Sequence, residues 1–303
     1  MNVSASFALN RPLSPVQGSA MHMSSPKSAL SLRSRLRFVT LSGVDGATPF
    51  DGLCELARRY PYAEFGVLYS KGQVGTGRYP PRKWIESLAH RARTVPGLNL
   101  SLHVCGEAIG DLMMGKDHVS ELALLFPRVQ ANFLAEGRAL ISVRKLLKRL
   151  PHTTIITQHT EASESLWRDL AERPNRAVMF NTSGRKGLGS LRWQAPLKKI
   201  ESGWSFKAID PLCGYAGGLG PDNVERNLRL IADLTRHSAF WLEMESKLLG
   251  RAARFDISRA QKCLDAVERV LLNDDMGADA AALPVRNFPT MAGAQISVIP
   301  VAA

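Results

Sequence analysis

The stretch Cys213-Gly-Tyr-Ala-Gly-Gly-Leu-Gly-Pro-Asp-Asn223 is the part of the chain best suited to hold an anion. An apolar run enters Gly217 and Gly218, and Pro221, Asp222 and Asn223 then open a helical pattern. Glycines at a strand-to-helix turn let the backbone approach an oxyanion closely, and the N–H groups of the turn and the next helix point at it. Gly217, Gly218 and Leu219 are therefore expected to bind phosphate. Other polar groups stand at the ends of apolar runs. His103 and Cys105 are two residues apart, a spacing that places both on one face of a strand, and Cys105 is a candidate nucleophile. Gln130 and Asn132 alternate in the same way within an apolar run, as residues lining a ligand pocket or a buried hydrogen-bond network would. His159 ends another run, and Glu243 and Glu245 end the last. Arg78 lies in Gly75-Thr-Gly77-Arg-Tyr-Pro-Pro81, a glycine-rich loop of the kind that covers a site. His103, His159 and Glu245 converging on one rim would bind a divalent metal, which makes a metal-dependent epimerase or lyase one alternative. No tight ligand spacing such as H-x-x-x-H is present.

Positioning these groups requires a regular scaffold, and the chain has its rhythm. From Arg37 onward, short apolar or β-branched runs alternate with amphipathic helical patterns. The predicted strands are Arg37–Leu41, Ala63–Tyr69, Leu98–Val104, Val129–Phe133, Thr153–Thr157, Ala177–Phe180, Cys213–Ala216 and Phe240–Met244. The predicted helices include Phe50–Arg59, Arg82–Arg93, Ala139–Leu150, Glu164–Glu172, Asn223–Thr235 and Ser258–Leu272, the last with Ser258 as its N-cap. Strict alternation argues for a parallel sheet, and eight strands close a barrel. The predicted fold class is thus α/β, a (β/α)₈ or TIM barrel over residues 36–275. A basic, Ser- and Pro-rich leader expected to be disordered precedes it over 1–35, and a tail follows over 276–303. The glycine turn then follows the seventh strand, where barrels often hold phosphate. Segment 190–207, poorly periodic, reads as an elaborated loop on the catalytic face.

Composition narrows the function classes. Apolar residues make up 45% of the 303, enough for one sizeable core, and no apolar run is long enough to span a bilayer. The formal net charge is +12. The first 44 residues contribute Arg11, Lys27, Arg33, Arg35 and Arg37 and no acid. The remaining basic residues are scattered along helices rather than gathered into a stripe with aromatics, which argues against a nucleic-acid partner. Cys54, Cys105, Cys213 and Cys263 form no C-x-x-C, which fits a reducing cytoplasm. The leader's composition also resembles a transit peptide or a bacterial export signal, so organelle targeting or export stands beside the cytoplasmic reading.

Several of these motifs together resemble phosphoribosylanthranilate isomerase, a (β/α)₈ family. Ala216-Gly-Gly-Leu-Gly-Pro-Asp-Asn-Val224 resembles that family's A-G-G-L-x-P-E-N-V signature. Leu41-Ser-Gly-Val44 resembles its first-strand motif, and Gly66-Val-Leu-Tyr69 with Arg78-Tyr79 its second strand and arginine turn. Val129-Gln130 resembles its fourth strand, and Phe180-Asn181 through Gly187 its sixth strand and glycine-rich loop. Leu242 to Lys247, followed by Asp256, resembles its last strand. The resemblance implies a cofactor-free Amadori rearrangement of a phosphoribosyl amine, Arg78 paired with a substrate carboxylate, and Ser246 and Lys247 on the phosphate side. It also implies a Cys base on strand one and an Asp acid on strand six. This chain has Ser42 and Asn181 there, and neither is suited to proton transfer near neutral pH. The sequence-level expectation is a barrel that binds a phosphorylated sugar or similar small molecule, an isomerase with altered acid and base groups. The alternative is an inactive or exported barrel that retains only the phosphate site.

Overall fold

The computed structural model of the protein describes residues 30–132, 139–159, 173–182, 193–195 and 212–282. Eight parallel strands form a closed barrel in sequence order. They are β1 (Leu36–Ser42), β2 (Ala63–Tyr69), β3 (Asn99–Val104), β4 (Arg128–Ala131), β5 (Thr154–Gln158), β6 (Arg176–Asn181), β7 (Leu212–Ala216) and β8 (Phe240–Met244), with β8 returning to β1. Each matches a predicted strand to within two residues, except that Phe133 and the predicted helix Glu164–Glu172 lie outside the described residues, as does most of segment 190–207. The described helices are α1 (Leu32–Arg35), α2 (Phe50–Arg59), α3 (Arg82–Ala92), α4 (Ala108–Met114), α5 (Asp117–Ala123), α6 (Ala139–Arg149), α7 (Val224–Leu234) and α8 (Ile257–Ala282). None of them is long and apolar enough to cross a membrane.

Three expectations about boundaries are corrected. The first described element, α1, lies inside the expected leader, where the Leu32 N–H donates to Asp274 of α8 at 2.9 Å. The final helix continues past residue 275 to Ala282. Its cap is Asp256 rather than Ser258: Asp256 Oδ1 accepts from the N–H groups of Ser258 and Arg259, at 2.9 and 3.1 Å. Helices α4 and α5 escaped the pattern reading because each has only seven residues, too few for a helical period to stand out.

Alternation along the strands sorts the core into two parts. Leu, Val and Phe side chains such as Val39, Phe65, Leu102 and Val129 face outward and pack beneath the helices. The barrel interior is smaller and more polar. Its apolar part is Ile156, Ala177, Met179, Ala216 and Trp241, with Phe38 and Leu212 against them. The rest is a column of polar side chains that includes Thr40, Glu64, Ser101, His103, Arg128, Gln130 and Glu243, all buried. Burying so many polar groups is costly unless they meet partners.

Candidate active site

Toward the N-terminal end of that column lies a buried ion pair. Glu64 on β2 accepts a 2.6 Å hydrogen bond from Thr40 Oγ1, and its other oxygen stands 3.4 Å from an Arg128 nitrogen. The Arg128 guanidinium lies 4.3 Å from the Phe38 ring centroid and 4.7 Å from that of Trp241. Two aromatic faces and one carboxylate thus balance a charge that has no access to water.

Above the pair, β3, β4 and β8 bring together His103, Gln130 and Glu243. Gln130 Nε2 donates to Glu243 Oε1 at 3.2 Å and to Asn132 Oδ1 at 2.9 Å. Gln158 Nε2 donates to the same Asn132 oxygen at 3.1 Å. Two donors on Oδ1 fix the Asn132 amide, so that its Nδ2 donates to Cys105 Sγ at 3.3 Å. The Cys105 thiol in turn donates to the His103 carbonyl at 3.7 Å. An unbroken hydrogen-bonded chain therefore links a carboxyl on β8 to a thiol just beyond β3.

Burial decides the protonation states here. It pushes Glu243 up to about 8, with the nearby Glu245 adding to the shift and the Gln130 hydrogen bond opposing it. It pushes His103 down to about 3, with Arg128 as a second cause. Both are neutral at pH 7, so the 3.5 Å approach of His103 Nδ1 to Glu243 Oε1 is not an ion pair. Glu243 Oε1 accepts from Gln130, and Oε2 finds no hydrogen-bond partner among the described residues. Gln130 Oε1 is in the same position.

These groups open onto a cavity of about 450 Å³ at the C-terminal mouth of the barrel. Its lining gathers most of the side chains singled out from sequence. From the strand ends come Cys105, Gln130, Asn132, Asn181 and Glu243, and from the rim come Arg78, Ser246 and the turn Gly217-Gly218-Leu219. Ser42, His159 and Lys247 are not among the lining residues. Ser42 is fully buried beneath Gly66. A Cβ on Gly66 would collide with Ser42 Oγ and come within 3.0 Å of His103 Nε2, so the glycine is what lets both side chains occupy the interior. The His159 ring packs on Phe180, with centroids 5.1 Å apart. Lys247 is exposed, its stem against Gly220 on the outer side of the turn. Sequence reasoning missed Gln73, Tyr79 and Gln158 as lining residues, and it missed the Glu64–Arg128 pair. Gln158 carries the signal that found Gln130, a polar residue at the C-terminal end of a strand.

The rim is held in shape. Arg78 forms an ion pair with Glu245 and lies 5.7 Å from the Tyr79 ring centroid. The start of its loop is anchored by Lys71, whose ammonium is 2.7 Å from Asp111; Lys116 binds the other oxygen of that carboxylate at 2.6 Å. The two lysines hold the Asp111 carboxyl well below the usual carboxylate range. On the opposite rim, Gly217 and Gly218 take φ of +140° and +63°, a backbone that side-chain-bearing residues rarely adopt. Asn223 shapes the turn, accepting from the Gly220 N–H and donating to Gly218 O, both at 2.9 Å. The N–H groups of Gly218 and Leu219 meet no acceptor among the described residues. Also among the described residues, no three His, Cys, Asp or Glu side chains stand close enough to hold a metal. The metal set expected from His103, His159 and Glu245 is not assembled: His103 lies in the interior, His159 lies against Phe180, and Glu245 is tied to Arg78.

No family model matches the chain, and no curated protein does. Solved structures do. A phosphoribosylanthranilate isomerase from Thermus thermophilus is 14% identical, with 77% of this chain and 99% of that one covered at a TM-score of 0.49. Monomers of the dimeric enzyme from Thermotoga maritima are 13% identical over 77% and 99% of the two chains, at 0.47. A truncated 3-deoxy-D-arabino-heptulosonate 7-phosphate synthase, also from Thermotoga maritima, is 14% identical over 79% and 88%, at 0.44.

Proposed function

We propose that this barrel is an isomerase of a sugar phosphate or similar phosphate-bearing small molecule, resembling phosphoribosylanthranilate isomerase but with its proton-transfer groups on other strands. The observation that carries the reading is a juxtaposition. One cavity is lined both by the Gly217-Gly218-Leu219 turn ahead of α7 and by the chain from Glu243 to Cys105. Turn N–H groups and a helix N-terminus favour a phosphate. Glu243, kept protonated by burial, is an acid at neutral pH. Cys105 Sγ, which faces the Asn132 N–H, acts as the base in its thiolate form, after the thiol has released the proton it shares with the His103 carbonyl; an N–H aimed at sulfur stabilises that thiolate. In the reaction Glu243 Oε2 gives its proton to a substrate oxygen while Cys105 takes one from the adjacent carbon. Cys105 then delivers its proton to the former carbonyl carbon while the Glu243 carboxylate takes one from the hydroxyl on the adjacent carbon, which completes a 1,2-shift and restores both groups. Asn181 and Gln130 orient the substrate. Ser42 is given no part in the proton transfer, because it is fully buried and does not line the cavity.

The test is proton exchange. The protein is incubated in D₂O with phosphoribosylanthranilate and with aldose and ketose phosphates, and carbon-bound deuterium is read by NMR. The expected result is incorporation at one carbon, reduced by about 10²–10⁴-fold in Glu243→Gln and in Cys105→Ser. Tight binding without exchange would leave a binding protein instead. Exchange unaffected by either substitution would assign the protons to other groups.

A further inference from the structure

Among the described residues, the cavity's non-phosphate side holds few charges. Arg78 is the only Lys or Arg among its described lining residues, and its guanidinium is already occupied by Glu245. That pair is about one-third exposed at each end, within reach of a ligand, and its acid and base are both consumed by each other. A second carboxyl, Glu243, lies deeper in the floor. The remaining polar lining is dominated by side-chain amides: Gln73, Gln130, Asn132, Gln158 and Asn181. An amide offers both N–H and C=O, which matches a hydroxyl, itself both donor and acceptor. A carboxylate only accepts, and needs a cation or several N–H groups. The Glu245 carboxylate beside it would repel it, and the cation it needs would first have to be taken from Glu245. Gln130 Oε1, a buried acceptor without a partner among the described residues, wants a donor that a carboxylate does not supply.

We infer that the end of the ligand remote from its phosphate is uncharged and hydroxyl-bearing and carries no carboxylate, so that the Arg78–Glu245 pair acts as a specificity filter rather than as an anion clamp. This rests on the phosphate-binding reading of the same cavity. It departs from the carboxylate role that the family resemblance implies for Arg78.

The experiment is calorimetric binding of three probes to the full chain: inorganic phosphate, glucitol 6-phosphate and 6-phosphogluconate. The last two share an open polyhydroxyl chain and differ only in a terminal CH₂OH or carboxylate. The expected result is binding of all three, with glucitol 6-phosphate at least about tenfold tighter than 6-phosphogluconate. Glu245→Gln frees Arg78 and is expected to narrow or reverse that gap by improving 6-phosphogluconate. Equal or tighter binding of 6-phosphogluconate by the wild type would overturn the filter while leaving the phosphate site standing. A gap that Glu245→Gln leaves unchanged would overturn the role of the pair. Failure of all three probes to bind would overturn the phosphate-binding reading, and the filter with it.

Discussion

Two polar clusters share the interior of this barrel, and they are built differently. Toward the N-terminal end, Glu64 and Arg128 neutralise each other, Thr40 satisfies a carboxylate oxygen, and Phe38 and Trp241 cover the guanidinium. At the C-terminal end, Glu243 and Gln130 each keep one oxygen without a partner among the described residues, and the cluster opens onto a cavity. A buried polar group left unsatisfied in a folded protein costs about 1–3 kcal/mol. The contrast teaches that polarity inside a barrel has two uses. The closed cluster is structural: its ion pair and ring contacts hold Arg128, although the three guanidinium nitrogens meet no hydrogen-bond acceptor among the described residues. The open one differs in that its unpartnered oxygens belong to side chains that line a cavity.

Substitutions can break that comparison, beginning with the closed cluster. Glu64→Leu strands Arg128 and is expected to lower unfolding free energy by about 3–5 kcal/mol in urea denaturation. Adding Arg128→Met should return most of it, because removing both charges removes the uncompensated one. A double variant no more stable than the single one would mean that the pair is not the source of the loss. Glu243→Gln should behave in the opposite way. It keeps the shape and costs little stability, while turnover falls as set out above.

The open cluster also leaves a signature in pH. Folded Glu243 keeps its proton up to about pH 8, whereas the unfolded side chain loses it near its ordinary 4.5. The folded state therefore binds more protons across that window, and stability falls as pH rises from about 4.5 to 8. Folded His103 stays neutral down to about 3, against an ordinary 6.5, so stability falls as pH drops from 6.5 toward 3. Together they place maximum stability between about pH 4.5 and 6.5, a dome readable in urea midpoints. Glu243→Gln should flatten its alkaline side alone; an unchanged alkaline slope would show that Glu243 is not its cause.

Smaller effects come from the rim and the surface. Gly218→Ala puts a side chain at φ +63° and should cost about 1–2 kcal/mol while weakening phosphate binding. A loss of stability with binding intact would detach the turn from the ligand. Arg33 bridges Glu268 and Asp275 of α8, at 2.8 and 2.9 Å, but all three side chains are partly exposed. Arg33→Ala should cost no more than about 1 kcal/mol in thermal melts, and less in high salt.

The strands were legible in the sequence because each is a short apolar run bounded by helical periodicity, and the barrel followed from their number. The rim groups Arg78, Cys105, Asn181 and Gly217 were legible because polar residues and glycines at the C-terminal ends of barrel strands have few structural reasons to be there. What sequence could not show was depth. Ser42 and Glu243 both lie on strands among apolar neighbours, yet Glu243 lines the cavity, whereas Ser42, two residues beyond Glu243's register partner Thr40, is fully buried and does not. The partner of Arg78 was hidden for a similar reason. Glu245 is 167 positions away along the chain and reaches the arginine only because the sheet closes.

The central claim is that the Gly217-Gly218-Leu219 turn holds a phosphate within reach of Glu243 and Cys105. Amide NMR of the full chain during titration with glucitol 6-phosphate tests it most directly. Saturable shifts of the Gly218 and Leu219 N–H signals are expected, together with the side-chain amides of Gln130 and Asn132. Shifts confined to other parts of the surface, with the turn unmoved at saturation, would contradict it.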